Sequence, residues 1–311
     1  MTITTYLLAV FLTATTSGLT DDAQSHPPQQ EVLPAQAQVQ AQNQTIIQAR
    51  ADLENAANQA GIDNKRLGTR LDELEARKTL NQLTDTQIVF AYQKLTELLT
   101  STQNGPHFDI AQRKALVELV CHNLARPSSI DQGNHPTCNV TTLEVYLAAR
   151  HPDIYADTIK QIVLTGKYTN WNNETITPPK TALMPGDDEK AYDMDIPPNN
   201  KRNHASQIMQ MTLVNGLYET GRLHEQKDSK GNKIDTTGWR YIMVAPVKIY
   251  SYFGGYYGYT TEEDRLLDDK GVAQKGKDGK ASTNPNVIGG DILSASEMML
   301  GYKMPYLNAP Y

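Results

Sequence analysis

The sequence predicts an α+β fold, in which a helical half precedes an irregular half that contains strands. Two observations support this prediction. Apolar residues recur at helical spacing through most of residues 45–166, whereas aromatic and β-branched residues cluster in short runs between residues 239 and 259. The segment between these regions, residues 167–201, is rich in Pro, Asn and Gly and is predicted to form turns.

The first 44 residues are predicted to lie outside the folded core. A short apolar run at residues 6–12, followed by Thr, Ser and Gly, is similar to a secretory signal, so residues 1–20 are assigned to one, although no basic residue precedes Arg50. A buried N-terminal segment is the alternative. Residues 21–44 are rich in Gln, Ala and Pro and predict a disordered linker, because this composition buries little apolar surface. The expected location is secreted or periplasmic.

Residues 45–83 predict a helical region, with two helices interrupted at Gly61 that pack on each other or on a helical partner. Thr84 and Gln87 then form a capping-box pattern that begins the next helix. A further helix is expected over about residues 109–125. Residues 84–166 are therefore assigned to the helical part of a single domain, and residues 167–311 to its loop and β part.

The second half of that domain carries a weaker pattern. Residues 206–217 are mixed and fall within the strand-like region, residues 239–245 predict a strand, and residues 248–259 predict a second strand that enters a glycine-tyrosine turn. Residues 268–283 predict a charged loop. A short helix is expected near residues 295–300.

The segment around Cys138 carries the strongest indication of chemistry. Gln132 and Gly133 open a polar turn, and the residues after Cys138 recur at helical spacing, namely Val140, Leu143 and Leu147. A thiol in the first turn of a helix faces unpaired backbone N–H groups and the positive end of the helix dipole, and both favour the thiolate. The side-chain amide of Gln132 and the backbone N–H of Cys138 would together form an oxyanion hole.

This segment resembles the nucleophile segment of papain-like cysteine peptidases, in which a Gln-Gly turn precedes the catalytic cysteine by the same interval. It departs from that pattern at His135 and Asn139, where the family has a second cysteine and an aromatic residue. The resemblance implies a remote papain-like fold, with the helical part carrying Cys138 as nucleophile and Gln132 as oxyanion donor. It also implies a protein or peptide substrate, whose amide bonds the thiol would hydrolyse.

A catalytic thiol requires an imidazole base oriented by a third polar group. His151 lies at the far end of the Cys138 helix, roughly 20 Å away, and His224 is predicted to be solvated. His204 remains as the candidate base, with Asn215 or Asp235 to orient it, although an exposed loop histidine is the alternative. A third hypothesis places the base beyond Tyr311, in which case the chain is a truncated or degenerate copy.

The competing class of function is a non-catalytic, exported interaction protein in which Cys121 and Cys138 form a structural disulfide. The net charge of −6 and the pI near 5.7 argue against a nucleic-acid partner, and no segment is long enough to span a bilayer. No cofactor is expected. The cysteine spacing does not suit zinc, and the acidic residues 187–189 and 193–195 lack a complete calcium loop, so a solvated acidic loop is expected there.

Overall fold

The chain has a mixed α+β fold in which helices predominate. The computed structural model describes residues 45–304 except 104, 134, 191, 193, 195–200, 229, 245–248, 254–255, 261–262, 276–281 and 283. The predicted signal segment and the predicted linker therefore lie outside the described residues, as do residues 305–311. Acidic residues Asp193 and Asp195 also lie outside them.

The first half of the described chain is helical, as the periodicity predicts. Its helices are α1 (Ile46–Ala60), α2 (Asn64–Ala76), α3 (Asp85–Thr100), α4 (Ile110–Ala125), α5 (Cys138–Arg150) and α6 (Pro152–Thr165). Helix α3 packs against α1 and α6, and α2 packs against α4. The side chains of Leu53, Tyr92 and Leu116 are fully buried in the apolar core that these helices share.

The helix ends follow from local side-chain chemistry. Thr84 and Gln87 form the predicted capping box at the start of α3, and Asp109 and Gln112 form a second one before α4. Gly166 ends α6 with φ at 73°, a conformation that glycine adopts without strain. A Cβ at position 166 would also lie 2.9 Å from Cγ of Pro106, so a residue larger than glycine would require the neighbouring atoms to move.

The second half consists of shorter elements around one long helix. They are β1 (Tyr168–Thr169), β2 (Thr175–Ile176), α7 (Lys180–Leu183), α8 (Asp187–Lys190), α9 (His204–Glu219), β3 (Arg240–Val244), β4 (Ile249–Phe253), β5 (Tyr256–Thr260), β6 (Glu263–Leu267) and α10 (Gly289–Leu300). Three antiparallel pairs form, β1 with β2, β3 with β6, and β4 with β5. The strand predicted at residues 239–245 is confirmed as β3.

The prediction of strand-like structure at residues 206–217 was wrong, because this segment is helix α9. Nearly every side chain of α9 is buried, so polar and apolar residues do not separate into an exposed and a buried face. Its polar side chains are buried too, and they hydrogen-bond to other buried groups. The sequence of α9 therefore lacks the usual amphipathic pattern. The final helix, α10, is also longer than the predicted residues 295–300.

Helix α9 also fixes the position of β3. The side chain of Asn215 accepts a hydrogen bond from the backbone N–H of Tyr241 at 2.9 Å and donates one to the carbonyl oxygen of the same residue at 3.0 Å. The buried amide of Asn215 thus makes the two backbone hydrogen bonds that a neighbouring strand would otherwise make with Tyr241. Asn215 has a structural role here, and its predicted role of orienting His204 is not observed.

Candidate functional site

Cys138 is the first residue of α5, as predicted, and its side chain is exposed and free. Thr137 precedes it at the N-cap, but no side chain caps the first turn of this helix. The thiol makes no hydrogen bond to any residue that the structure describes. Cys138 therefore presents an accessible thiol at the start of a helix whose first-turn N–H groups have no side-chain cap.

The turn before Cys138 consists of Asp131–Gly133 and His135–Thr137 within the described chain. Gly133 has φ at 63°, and its N–H donates to Oδ1 of Asp131 at 2.8 Å. The N–H of Thr137 donates to the carbonyl oxygen of His135 at 2.8 Å. Gln132 lies in this turn half-buried, and no hydrogen bond joins its side chain to Cys138 among the described residues. Its oxyanion role stays a prediction.

Gln210 of α9 contacts both ends of this turn. The Thr137 hydroxyl donates to Oε1 of Gln210 at 2.7 Å, which explains why this hydroxyl does not cap α5. Nε2 of Gln210 donates to Oε2 of Glu144 at 2.8 Å and lies 3.5 Å from the carbonyl oxygen of Asp131. Both ends of the turn and the middle of α5 are therefore tied to the same buried amide.

Glu144 is fully buried on α5, beneath the Cys138 turn. Its other oxygen accepts a hydrogen bond from the Tyr155 hydroxyl at 2.9 Å, and Asn123 donates to that hydroxyl at 2.8 Å. Burial raises the pKa of Glu144 to about 7, because the hydrogen bonds from Gln210, Ser206 and Tyr155 and the charge of Arg202 only partly offset the loss of hydration. This carboxyl therefore changes charge near neutral pH.

A second buried carboxylate, Glu189, lies on the opposite side of Gln210. Its Oε1 accepts a hydrogen bond from Nε of Arg202 at 3.0 Å and lies 3.3 Å from Nε2 of His135. Arg202 is completely buried, and its Nη1 lies 3.5 Å from Oε1 of Gln210. Burial alone would raise the pKa of Glu189, but the hydrogen bond from His135 and the charge of Arg202 outweigh it and lower the pKa below the usual value.

The contacts described above form one continuous set, called here the buried polar network. Its members are Asn123, His135, Thr137, Glu144, Tyr155, Glu189, Arg202, Asn203, Ser206 and Gln210. The network joins α4, α5, α6, α8 and α9. The expectation that residues 187–189 form a solvated acidic loop was wrong for Glu189, since its side chain is fully buried.

His204, the candidate base, does not contact Cys138. It is the first residue of α9 and is buried, so the alternative of an exposed loop histidine was wrong. Its Nε2 donates to the carbonyl oxygen of Leu183 at 2.8 Å, and its ring lies against Phe108. Burial lowers the pKa of His204 to about 4, so the imidazole is neutral at neutral pH.

The other histidines considered near Cys138 are also engaged elsewhere. Nε2 of His151 lies 2.9 Å from the hydroxyl of Tyr302, at the end of α5 remote from Cys138. His224, which was predicted to be solvated, is 33% exposed, and its Nδ1 also lies 2.8 Å from the buried carboxylate of Asp291. Asp235, the other predicted orienter, is exposed and accepts a hydrogen bond from the N–H of Thr237.

The two cysteines differ in their environments. Cys121 is buried in α4, and burial together with the charge of Glu118 raises its pKa to about 12. Neither cysteine is bonded to the other, so the predicted disulfide between Cys121 and Cys138 is absent from the structure. The protein therefore contains one buried thiol and one accessible thiol.

The buried polar network is the part of the site that sequence reasoning missed. A signal for it exists in α9 and its cap, since Asn203, Ser206, Gln207 and Gln210 follow the spacing i, i+3, i+4 and i+7 of one helix face. A polar stripe with that period usually faces water. Its burial depends on residues distant in sequence, such as Glu144, which lies 66 residues from its partner Gln210 and gives no local indication of the contact.

Comparisons with models of protein families, with curated proteins and with solved structures gave no significant match. Among the described residues, no group of three or more His, Cys, Asp or Glu side chains is arranged to hold a metal ion. None of the described helices combines the length and the apolar character needed to cross a membrane. The functional argument therefore depends on the geometry of this chain's own residues.

Proposed function

We propose that the protein is a papain-like thiol hydrolase that acts on amide bonds of peptides or proteins, with Cys138 as its nucleophile. The observation that carries this proposal is the exposed, unpaired thiol of Cys138 at the uncapped start of a 13-residue helix. The turn that leads into this helix is also hydrogen-bonded to a buried network, which holds the backbone on either side of Cys138 in place.

In the proposed reaction the thiol gives up its proton to solvent and the thiolate attacks the acyl carbon of the amide. Its carbonyl oxygen becomes an oxyanion, which the side chain of Gln132 and the backbone N–H of Cys138 would stabilise. The tetrahedral intermediate then collapses to a thioester, and the amine leaves with a proton taken from water. Attack by a second water molecule on the thioester releases the acid and restores the thiol.

A non-catalytic function is the second candidate, and one observation favours it. The sulfur of Cys138 has no hydrogen-bonded imidazole among the described residues, and the histidine predicted as its base binds a backbone carbonyl instead. Such a protein would present the 131–138 segment to a partner without attacking it. The two candidates differ in the reactivity that they require of the thiol.

The rate of iodoacetamide alkylation at neutral pH separates these functions. We expect Cys138 to react faster than a free thiol such as glutathione, because the proposed reaction requires a nucleophile that is active at neutral pH. Cys121 serves as the internal control and should not react in the native protein, since it is buried. Cys138→Ala provides the blank. A rate equal to that of the free thiol would contradict an activated nucleophile.

Acylation by p-nitrophenyl acetate tests the chemistry itself. We expect a burst of p-nitrophenol equal to the concentration of Cys138, and a slower burst in Gln132→Ala, by about 100-fold, if this amide stabilises the oxyanion. Asn139→Ala, which removes an amide adjacent to the cysteine that instead donates to the carbonyl oxygen of Val287, is the matched control. Fast alkylation of Cys138 without any burst would favour the non-catalytic function.

A further inference from the structure

Thr137 occupies the N-cap position of α5, but its backbone conformation differs from that of two other threonine caps in this protein. Thr45 at α1 and Thr84 at α3 have ψ at 157° and 156°, and each hydroxyl accepts a hydrogen bond from the N–H three residues later. Thr137 has φ at −107° and ψ at 16°, and its side chain makes no capping hydrogen bond. The same residue type at the same helix position therefore adopts two conformations.

The hydrogen bond from Thr137 to Gln210 accounts for this difference. The Thr137 hydroxyl donates to Oε1 of Gln210 at 2.7 Å, and both side chains are buried. A buried hydroxyl is costly to leave without a partner, so this bond keeps Thr137 in its present conformation. A capping threonine has an extended ψ. The turn before Cys138 therefore has two alternatives, which are to bind Gln210 or to cap α5.

The orientation of the Gln210 amide depends on Glu144. Nε2 of Gln210 donates to Oε2 of Glu144 at 2.8 Å, and a carboxylate accepts such a bond more strongly than an uncharged group does. Nη1 of Arg202 and the carbonyl oxygen of Asp131 favour the same orientation, but each lies 3.5 Å from the amide. That distance is at the limit of hydrogen bonding. The charge on Glu144 is therefore the main determinant of which end of the amide faces Thr137.

Protonation of Glu144 reverses this preference. A protonated carboxyl carries an O–H donor, which on Oε2 would face the N–H donor of Gln210. Half a turn of the amide brings its oxygen to this O–H and its nitrogen to the Thr137 hydroxyl, which then loses its acceptor. The pKa of Glu144 is raised to about 7 by burial, so both charge states are populated near neutral pH.

Arg202 is the charged group that acts on Glu144, and Tyr155 of α6 donates to its other oxygen. Other buried ionisable side chains of the surrounding elements have partners of their own. They include Glu189 of α8 with Arg202, His135 of the turn with Glu189, and Asp291 of α10 with His224. Because His135 lies in the turn itself, its titration has to be separated from that of Glu144 by experiment.

We propose that the charge of Glu144 sets the conformation of the turn before Cys138. The ionised carboxylate orients Gln210 so that it binds Thr137 and leaves the start of α5 uncapped. The protonated carboxyl reverses the amide of Gln210, and Thr137 then caps α5 through the backbone N–H of Val140. This switch is independent of the proposed thiol chemistry, because neither state requires Cys138 to react.

Carbon-13 NMR of protein labelled at threonine and glutamate follows both parts of the switch in one sample. The Cα and Cβ chemical shifts of a threonine depend on its ψ, so they report the conformation of Thr137. We expect them to move to extended values as the pH falls, with the same inflection as the carboxyl carbon of Glu144. Thr84, which is already a cap, should keep extended values throughout. Constant shifts of Thr137 while Glu144 titrates would overturn the proposal and place the proton on the oxygen that faces Tyr155.

Two substitutions separate Glu144 from the other ionisable groups. The carboxamide introduced by Glu144→Gln supplies an N–H in place of the acid proton, so Thr137 should show extended shifts at every pH. In Gln210→Met the carboxyl still titrates, but the shifts of Thr137 should no longer follow it. A titration of Thr137 that is unchanged in Glu144→Gln would assign the movement to another group, such as His135, and refute the switch. Should either variant not fold, the two inflections of the wild type decide.

Discussion

Two buried carboxyl groups of the buried polar network, those of Glu144 and Glu189, have pKa values that are shifted in opposite directions. Around Glu144 the hydrogen-bonding neighbours are uncharged, namely Tyr155, Gln210 and Ser206, and the pKa rises to about 7. Around Glu189 the neighbours are His135 and the cation Arg202, and the pKa falls below its usual value. Both side chains are buried, so burial by itself does not set the direction of the shift.

The difference shows that a charged neighbour can lower the pKa of a carboxyl group by more than burial raises it. Nε of Arg202 touches Glu189 at 3.0 Å, whereas Arg202 reaches Glu144 only through Gln210. Uncharged donors restore part of the hydration that a carboxylate loses, but a cation at contact distance restores more. The region of Glu189 is consequently a buried ion pair, and that of Glu144 is a site that takes up a proton near neutral pH.

The largest effect is expected from removal of the cation. Arg202→Met leaves Glu189 buried without its guanidinium and should lower the free energy of unfolding by about 3–5 kcal/mol. Urea denaturation at pH 7 measures this change. Arg222→Met is the matched control, because its pair with Glu174 is partly exposed and contributes about 1 kcal/mol or less. Equal losses in the two variants would show that the Glu189 region does not depend on its cation.

A smaller effect, on the order of 2 kcal/mol, is expected from the titration of Glu144. Its pKa in the folded state is about 7, above the value of 4.5 for an unperturbed glutamate. The stability that it contributes is therefore complete below pH 4.5 and is lost as the pH rises through 7. Glu144→Gln cannot ionise, so the wild type should lose stability relative to this variant between these pH values.

The difference between wild type and Glu144→Gln is the quantity to measure, because other groups titrate in the same range. His151 and His204 have pKa values lowered to about 4, so they give the opposite slope, with stability lost as the pH falls from 6.5 toward 4. These slopes are common to both proteins and cancel. Glu189 titrates below pH 4.5, outside this window. A difference that is constant from pH 4.5 to pH 7 would contradict the raised pKa.

The smallest effect concerns one hydrogen bond to Glu144. Tyr155→Phe removes the hydroxyl that donates to this carboxylate and should lower the free energy of unfolding by about 1–2 kcal/mol. It should also raise the pKa of Glu144 further, since a donor to the ionised form is lost. Carbon-13 NMR of the carboxyl group follows this titration.

Tyr218→Phe is the control for that experiment. Its buried hydroxyl donates to the carbonyl oxygen of Pro285 at 2.7 Å, outside the buried polar network. We expect a similar loss of stability without any change in the titration of Glu144. A shift of the Glu144 pKa in the control, or none in Tyr155→Phe, would mean that the hydroxyl does not stabilise the ionised carboxylate.

Local sequence patterns predicted the helices of the first half because each depends on neighbouring residues. Thr84 and Gln87 cap α3 within one turn, and the spacing after Cys138 identifies the start of α5. Helix α9 was missed because its polar residues are buried, and a polar residue gives no local sign of burial. The role suggested for His204 was likewise inferred from its order in the chain, which does not specify the partner of its imidazole.

The sequence alone determined the α+β class, the helical first half, the start of a helix at Cys138 and the strand at β3, since these follow from spacing, caps and side-chain shape within a few residues. Only the tertiary structure decided that Gln210 holds the turn before Cys138, that His204 donates to Leu183, and that Glu144 and Glu189 have opposite pKa shifts. Those properties depend on which charges and donors lie within about 3 Å, and residues distant in the chain supply them.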